Sequence, residues 1–250
     1  MTATPNAADL YLDLLKRSLT NSLFSVEPDA NKKDELKFIT GFIDHYIKAP
    51  AVSMLPLARF DNLQACVSQA LKDGVPGDLI ETGVWRGGSC IFMRAILMVY
   101  GDTERIVWAA DSYQGLPKPE GRHPQDARDE HWKYQDVLGV SLEQVRSNFA
   151  RYGMLDERVR FLEGWFKDTL PSAPIRQLAV LRLDGDMYSS TMDVLENLYD
   201  KVSAGGYTIV DDYGAVPACK QAVDDFRARR AISEPLKKID WTGVFWQKPM

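Results

Sequence analysis

Four aspartates stand directly after two apolar segments of the chain, in a pattern that could bind a metal ion. The four are Asp184 and Asp186 after residues 178–183, and Asp211 and Asp212 after residues 207–210. If the two segments are neighbouring strands of a parallel sheet, their carboxyl ends bring these groups within a few ångströms of one another. Carboxylates packed together repel and raise each other's pKa, and a hard dication removes that penalty. Because no cysteine or histidine accompanies them, the pattern favours Mg²⁺, Mn²⁺ or Ca²⁺ over Zn²⁺.

The same aspartates have an alternative interpretation without a metal. Asp186 and Asp212 would cap the helices that follow them, and Asp184 and Asp211 would pair with arginine or lysine side chains. Capping uses one carboxylate per helix, whereas each strand end supplies two. The excess of acidic groups favours the metal site.

A glycine-rich stretch over residues 81–89, with the sequence ETGVWRGGS, is the second candidate site. It closes a predicted strand and opens a predicted helix, so its glycines let the backbone approach a ligand and the helix N-terminus offers free N–H groups. A dinucleotide fold favours the spacing G-x-G-x-x-G, whereas this chain has G-x-x-x-G-G. Asp111 closes the next predicted strand, and a carboxylate there can accept both ribose hydroxyls of an adenosine. The stretch therefore predicts a nucleotide site that suits S-adenosylmethionine as well as NAD.

A third strand end, at residues 163–165, places Gly164 and Trp165 at the same edge of the sheet, where an adenine ring could stack. The alternative for the whole region is purely structural. The glycines would then only form a tight turn, Asp111 and Ser112 would cap the segment that follows, and Trp165 would belong to the core. The local sequence leaves both interpretations open.

Short apolar segments alternate with longer amphipathic ones from residue 78 onward, which is typical of α/β proteins. The predicted strands are residues 78–84, 105–110, 159–163, 178–183 and 206–210, with two short strands at 237–240 and 244–247. The predicted helices are residues 9–19, 33–46, 59–71, 88–100, 142–152, 166–170, 191–201 and 217–230. We therefore expect one α/β domain over residues 1–250, built on a doubly wound, mostly parallel, Rossmann-like sheet of seven strands. Residues 1–75 would form an N-terminal helical region and residues 76–250 the sheet core.

Residues 114–140 resist this pattern, because early prolines and glycines are followed by charged and aromatic residues. A long irregular segment in a compact domain is usually functional or mobile, and this one follows a strand end, where open α/β sheets bind ligands. It holds His123 and His131, either of which could rival an aspartate as a catalytic base. His45 lies in a predicted helix and is interpreted as a packing or surface residue. The segment is therefore a candidate functional segment at the ligand-binding edge.

The composition restricts the partners of the protein. Its 250 residues carry a net charge of -5, with a pI near 5.3, so no clustered positive face is expected for nucleic acid or an anionic membrane. No apolar run approaches the ~20 residues that cross a bilayer. Cys66, Cys90 and Cys219 have neither zinc-site spacing nor the density of a disulfide scaffold, and we expect them to be reduced. These features favour a cytoplasmic protein that acts on a small neutral or cationic molecule.

Six sequence motifs, taken together and in order, resemble those of the macrocin O-methyltransferase (TylF/MycF) family. They are GVPGD at residues 74–78, ETGVWRGG at 81–88, ADSYQG at 110–115, GWFKDT at 164–169, LDGDMY at 183–188 and DDY at 211–213. The resemblance runs from about Leu10 to Trp246 and implies a class I methyltransferase with S-adenosylmethionine and Mg²⁺ (or Mn²⁺) as cofactors. It also implies methylation of sugar hydroxyls on macrolides and aminocoumarins, and a homodimer or higher homo-oligomer.

The resemblance implies a role for each matching residue. The cofactor would lie along Glu81, Thr82, Gly83, Ser89, Asp111, Ser112, Gly164, Trp165 and Asp184. The metal would bind Asp184, Asp211 and Asp212, and Asp186 would be the base that takes the proton of the acceptor hydroxyl. Residues 24–54 and 122–140 would form the acceptor pocket and lid, with Tyr46, Met54, Leu55, His131, Trp132 and Tyr134 as candidate contacts. The acceptor would be a hydroxyl of a glycosylated or polyketide natural product.

Two other functions stay open on the sequence alone. An NAD-dependent oxidoreductase would use the glycine turn and Asp111 but would leave the four aspartates unexplained. A non-enzymatic ligand-binding protein on a methyltransferase fold would have no need of the carboxylates, which are intact.

Overall fold

The sheet has seven strands, as the sequence predicts. A computed structural model of the protein describes residues 6–28 and 40–250. The strands are β1 (Asp78–Thr82), β2 (Val107–Asp111), β3 (Val159–Glu163), β4 (Leu178–Leu183), β5 (Val202–Val210), β6 (Lys237–Lys238) and β7 (Val244–Gln247). Their order is β3-β2-β1-β4-β5-β7-β6, with β1 to β5 parallel and β7 antiparallel to both β5 and β6.

Six helices of at least ten residues flank the sheet in the described part of the chain. They are α1 (Ala7–Leu19), α2 (Leu57–Lys72), α3 (Gly88–Val99), α4 (Leu142–Arg151), α5 (Tyr188–Leu198) and α6 (Pro217–Arg229). The shorter elements are a π-helical turn (Ile43–Ile47), two one-turn α-helices (Gln135–Leu138 and Phe166–Thr169) and four 3₁₀ turns (Pro124–Asp126, His131–Tyr134, Leu170–Ser172 and Tyr199–Lys201). The predicted helix at 33–46 lies largely outside the described residues, and the π-helical turn stands at its end. Within the described ranges, each helix is too short or too polar to cross a membrane.

The core lies on both faces of the sheet. Helices α1 to α4 pack on one face, and α5 and α6 pack on the other. All six residues of β4 are buried, which explains why this strand is nearly continuously apolar in the sequence. Strand β1 lies between β2 and β4, so the chain crosses to opposite sides of the sheet there and opens a crevice at the carboxyl ends.

Several element boundaries follow from local chemistry. The side chain of Asn6 accepts the N–H of Asp9 at 2.9 Å and starts α1 two residues before the prediction. Helix α2 ends in a turn in which Gly74 has φ +64 and the N–H of Val75 donates to the carbonyl of Ala70.

Several predicted boundaries are wrong, and β5 begins at Val202, four residues before its predicted start. Two of the other differences have a clear local cause. The strand predicted at 237–240 ends at Lys238, because the carboxylate of Asp240 accepts the N–H groups of Thr242 and Gly243 in a tight turn. Helix α5 starts at Tyr188, three residues before the prediction, because Asp126 from the irregular segment caps it. A cap supplied from 62 residues away leaves no mark in the local sequence.

Candidate active site

Strands β4 and β5 place three of the four aspartates in one cluster. Asp184, Asp211 and Asp212 each offer an oxygen atom, and these atoms lie within 4.8 Å of one another. The two strands are parallel neighbours, with Leu183 paired to Val210, so their ends coincide. The structure therefore brings together the three residues expected to bind a metal.

A buried arginine lies directly beneath this cluster. Arg182, the polar residue of β4, is 2% exposed and donates to Glu81 at 2.5 Å, to Asp184 at 2.8 Å and to one oxygen of Asp211. Burial raises the pKa of Glu81 to about 7 even though Arg182 opposes the shift. Arg182 thus joins the ends of β1, β4 and β5 through their carboxylates.

A second arginine approaches from the N-terminal region. Arg59 of α2 donates to the other oxygen of Asp211 and, at 2.7 Å, to Asp240. The alternative interpretation, in which Asp184 and Asp211 pair with basic side chains, is therefore correct for these two residues. Its other half is wrong, because Met187 and Val216 occupy the N-cap positions of α5 and α6 that it gave to Asp186 and Asp212.

Carboxylates outnumber the basic groups around the cluster. Asp212 has a buried Oδ2 atom that accepts no hydrogen bond within the described ranges. Burial, together with the charges of Asp186 and Asp184, raises its pKa well above the ordinary value. Burial, reinforced by the charges of Asp184 and Asp240, also raises the pKa of Asp211 to about 6, although Arg59 and Arg182 oppose the shift. An unpartnered buried oxygen in an all-oxygen donor set fits a hard divalent cation.

Asp186 lies close to the cluster, in an unusual backbone conformation. Strand β4 ends at Leu183, and Asp186 has φ +55. Trp85 and Tyr113, after β1 and β2, also have positive φ. Left-handed backbone is costly for these residue types and tends to concentrate at functional sites. Three strand ends are therefore strained around one crevice.

His131 is the rival base, and it faces Asp186. Burial raises the pKa of Asp186 to about 7, the charge of Asp184 reinforces the shift, and His131 opposes it. For His131, burial acts to lower the pKa, but the hydrogen bond to Asp129 at 2.9 Å and the charge of Asp186 raise it overall. The two groups therefore influence each other's protonation.

An open cleft runs along the carboxyl edge of the sheet. Seven of the predicted site residues line it: Met54, Gly83, Asp111, Ser112, Trp165, Asp184 and Asp186. Four other predicted cofactor residues, Glu81, Thr82, Ser89 and Gly164, are not part of its lining. Glu81 and Ser89 are buried and bonded to each other, and the Thr82 hydroxyl donates to the carbonyl of Arg182. They support the floor of the cleft.

Asp111 is held in a fixed orientation at the mouth of the crevice. Its two carboxylate oxygens accept the N–H of Val84 at 2.6 Å and the N–H of Tyr113 at 2.8 Å. Each oxygen can accept a further hydrogen bond, and the residue lines the cleft. This arrangement suits recognition of a diol such as a ribose.

The glycines of the turn allow other segments of the backbone to approach it closely. A Cβ atom at Gly83 would overlap the carbonyl oxygen of Asp184, so the first glycine lets β1 end against β4. A Cβ at Gly88 would lie 2.6 Å from Ser53 Cβ, and the N–H of Gly88 donates to the carbonyl of Val52 at 3.0 Å. The expectation of free N–H groups at this helix N-terminus is therefore wrong for Gly88.

The predicted acceptor contacts mostly lie elsewhere. Tyr46 and Leu55 are 2% and 5% exposed and belong to the packing of the N-terminal region. His131, Trp132 and Tyr134 lie in the irregular segment but not among the residues that line the cleft. His123, the other histidine named as a possible base, does line the cleft. The lining residues that were not named as site residues include Trp85, Lys118, Glu120, Arg122, Asp126, Phe166, Lys167, Ser189, Ser190 and Asp193. Ser189 and Ser190 directly follow the LDGDMY motif, which is the one signal that could have found them.

Comparisons with known proteins show the family of this chain. The sequence model of the macrocin-O-methyltransferase (TylF) family matches residues 44–248. An 8-demethyl-8-(2,3-dimethoxy-alpha-L-rhamnosyl)-tetracenomycin-C 4'-O-methyltransferase of Streptomyces olivaceus is 52% identical over 98% of this chain and 94% of its own length. A mycinamicin III 3''-O-methyltransferase of Micromonospora griseorubida is 48% identical over 96% of each chain. The solved O-methyltransferase NovP is 47% identical, with a TM-score of 0.88 over 97% of this chain and all of that one.

Fold and relatives together define a class I, S-adenosylmethionine-dependent O-methyltransferase. The chain belongs to the macrocin O-methyltransferase family. The predicted resemblance and fold class are confirmed, and the oxidoreductase and non-enzymatic alternatives are excluded.

Proposed function

We propose that the protein methylates a hydroxyl of a sugar carried by a glycosylated natural product, with the help of a divalent cation. The cluster of Asp184, Asp211 and Asp212, whose member Asp184 lines the same cleft as Asp111, carries the proposal. Relatives are named for methylating a rhamnosyl tetracenomycin, mycinamicin III and demethyldecarbamoylnovobiocin. The broad cleft suits acceptors of that size.

The residues of the cleft divide into two sets. Gly83, Asp111, Ser112 and Trp165 would hold the cofactor, with the Asp111 carboxylate accepting ribose hydroxyls. Bound S-adenosylmethionine supplies the activated methyl group. This set lies at the ends of β1, β2 and β3, on one side of the topological crossing point.

Asp184, Asp211 and Asp212 would hold Mg²⁺ or Mn²⁺ at the ends of β4 and β5. A divalent cation there supplies a Lewis acid that favours the ionised form of an alcohol. Arg182 and Arg59 occupy oxygens of Asp184 and Asp211 and so restrict how these carboxylates can rotate. Asp212, with its unpartnered Oδ2, is the member best placed to gain from a cation.

Asp186 would accept the proton of the acceptor hydroxyl. It lines the cleft beside Asp184, whereas His131 does not line it. His131 faces Asp186 and would hold its charge in place or receive the proton afterwards. Ser189, Ser190 and Asp193 on α5 offer hydroxyl and carboxylate groups that could orient a polyhydroxylated ring.

Methylation of a panel of glycosides tests the proposal. The protein is incubated with S-adenosylmethionine and rhamnosylated, macrolide and aminocoumarin acceptors, with or without EDTA, and products are read by mass for one added methyl group. We expect methylation of at least one glycoside, loss in EDTA and recovery with excess Mg²⁺. Unchanged turnover in EDTA would refute the metal role, and methylation of aglycones alone would refute the sugar acceptor.

Metal binding needs its own measurement. Mn²⁺ titration followed by electron paramagnetic resonance should show one tight site in the parent and loss of that site in Asp212→Asn. Asp200→Asn, which removes an exposed ion pair in the 3₁₀ turn after α5, is the matched control and should bind Mn²⁺ normally.

We also propose a homodimer. Leu10, Tyr11 and Leu14 form an exposed apolar face on α1, between 40% and 57% exposed. Contact with a second copy would cover it. Light scattering after size exclusion tests this, and a monomeric mass at micromolar concentration would contradict it.

A further inference from the structure

Residues 46–54, which we call the strap, lie on the glycine-rich turn that follows β1. Arg86, within that turn, donates hydrogen bonds to four backbone carbonyls of the strap. The acceptors are Tyr46 at 3.3 Å, Ile47 at 3.1 Å, Ala49 at 3.2 Å and Ala51 at 2.7 Å. One side chain therefore holds six consecutive residues of backbone in place.

Arginine is suited to this task for geometric reasons. A guanidinium has five N–H donors in a planar fork, and Arg86 uses both of its terminal nitrogens on the strap. Its guanidinium also lies 4.2 Å from the centre of the Trp85 ring, which fixes the plane of the fork. A lysine has a single nitrogen with three donors, so it cannot satisfy four carbonyls.

The far end of the strap is held by backbone bonds instead. The N–H groups of Val52 and Ser53 donate to the carbonyl of Leu19 at 2.8 and 3.1 Å, and Gly88 donates to the carbonyl of Val52. Substitution of a side chain leaves these bonds in place. Arg86 is thus the side chain that ties the first half of the strap, residues 46–51, to the glycine turn.

The strap ends in the wall of the cleft. Met54 lines the cleft together with Gly83 and Trp85, so the strap and the turn meet at that wall. Trp85, whose ring lies under Arg86, donates its indole N–H to the carbonyl of Val137 in the irregular segment at 2.8 Å. The Trp85-Arg86 pair therefore connects the turn to both segments that border the cleft.

We propose that Arg86 is a positioning residue for methyl transfer, which holds the strap on the glycine turn and so fixes the wall formed by Met54 and Trp85. It touches the strap and not the reacting groups. The proposal depends on the established O-methyltransferase activity and on the cofactor side of the cleft, and it is independent of which glycoside is the acceptor.

Hydrogen exchange on the full chain, saturated with S-adenosylhomocysteine, tests the proposal first. We expect Arg86→Gln and Arg86→Lys to increase exchange ~10-fold or more in peptides covering residues 43–55, while peptides from β1 and β4 stay protected. Arg94→Lys is the control, because Arg94 is a buried arginine that pairs with Asp156 away from the cleft. It should leave exchange of the strap unchanged.

Binding and kinetics supply the second readout. We expect the Kd for S-adenosylhomocysteine to rise and kcat/KM to fall by up to ~100-fold in Arg86→Gln, since small displacements of a positioned group can have that effect. Arg86→Lys should recover little of this, and Arg94→Lys should resemble the parent. Parent-like exchange of the strap in Arg86→Gln, or equal loosening of the strap by Arg94→Lys, would overturn the proposal even if no acceptor has been found.

Discussion

The two sides of the cleft are held by different kinds of interaction. On the sheet side, the ends of β1, β4 and β5 are joined by buried ion pairs centred on Arg182. On the other side, the strap and the irregular segment 114–140 are attached by separate hydrogen bonds, which Arg86 and Trp85 donate and Asp126 accepts. The first arrangement tolerates little displacement, whereas the second can change one bond at a time. The sheet edge is therefore suited to hold the groups that take part in methyl transfer. The strap and the irregular segment are suited to accommodate different acceptors.

Removal of Arg182 should cause the largest loss of stability, because it breaks the ion pairs that join the ends of β1, β4 and β5. Arg182→Met leaves the buried Glu81 and Asp211 and the partly buried Asp184 without their common partner. Loss of one member of a buried ion network costs about 3–5 kcal/mol. Urea denaturation measures the change in the free energy of unfolding.

The control for that experiment is Arg122→Met, which removes a half-exposed arginine paired with Asp193. Its expected cost is below ~1 kcal/mol. If Arg182→Met lost no more stability than Arg122→Met, the sheet edge would not be held as we describe.

The second experiment separates the two candidate bases. Asp186→Asn should lower kcat by about 10²–10⁴-fold, the usual contribution of a general base, while His131→Asn should lower it less than ~10-fold. Single-turnover rates at saturating cofactor and acceptor provide the comparison. Retained Mn²⁺ binding in Asp186→Asn distinguishes loss of the base from loss of the metal. The reverse order of the two variants would assign the proton transfer to the irregular segment instead of the sheet edge.

Substitution of Asp126 tests how the irregular segment is attached to the rest of the fold. Its carboxylate accepts the N–H groups of Tyr188 and Ser189 at 2.7 and 2.9 Å and so docks the irregular segment on α5. Asp126→Ala should destabilise the fold by about 0.5–2 kcal/mol, the usual cost of a lost helix cap. The KM for the acceptor should rise while the Kd for S-adenosylhomocysteine stays unchanged. An equal loss of cofactor affinity would show that the two halves of the cleft are not separable.

Most of the sheet edge could be predicted from the local sequence. Apolar runs that end in aspartate predicted β4, β5 and the cluster of Asp184, Asp211 and Asp212, because parallel strands must share one carboxyl edge. Strand β2 ending at Asp111 follows by the same argument. The positive φ of Asp186 was not visible, since only tertiary packing forces a non-glycine residue into that conformation.

Contacts between distant segments could not be predicted in the same way. Arg59 reaches Asp211 across 152 positions, and Asp126 reaches Tyr188 across 62. Neither pair has a periodic or spacing signature, and any arginine on α2 would look like a solvated charge in the sequence. Most of the residues predicted to contact the acceptor lie away from the cleft for the same reason. Aromatic residues such as Tyr46 were chosen by type, whereas the fold uses that ring for packing.

The smallest expected effect is a pH dependence of local stability that is confined to the irregular segment 114–140. The pKa of His131 lies above its ordinary value because the effects of Asp129 and Asp186 exceed the opposing effect of burial. A raised pKa in the folded state means that the ion pair contributes stability fully below the unfolded pKa, near 6.5, and loses it as the pH rises through the folded pKa. The His131 side chain is 44% exposed, so screening keeps the contribution below ~1 kcal/mol.

Hydrogen exchange of residues 122–140, corrected for intrinsic pH dependence, should therefore increase modestly from pH 6 to pH 9. Peptides of β4 should show no such change over that range. In His131→Asn the pH dependence should disappear, because asparagine keeps a hydrogen-bonding group but does not titrate. If β4 and the irregular segment loosened together as the pH rose, the titrating group would belong to the acidic cluster. The two sides of the cleft would then share one electrostatic network.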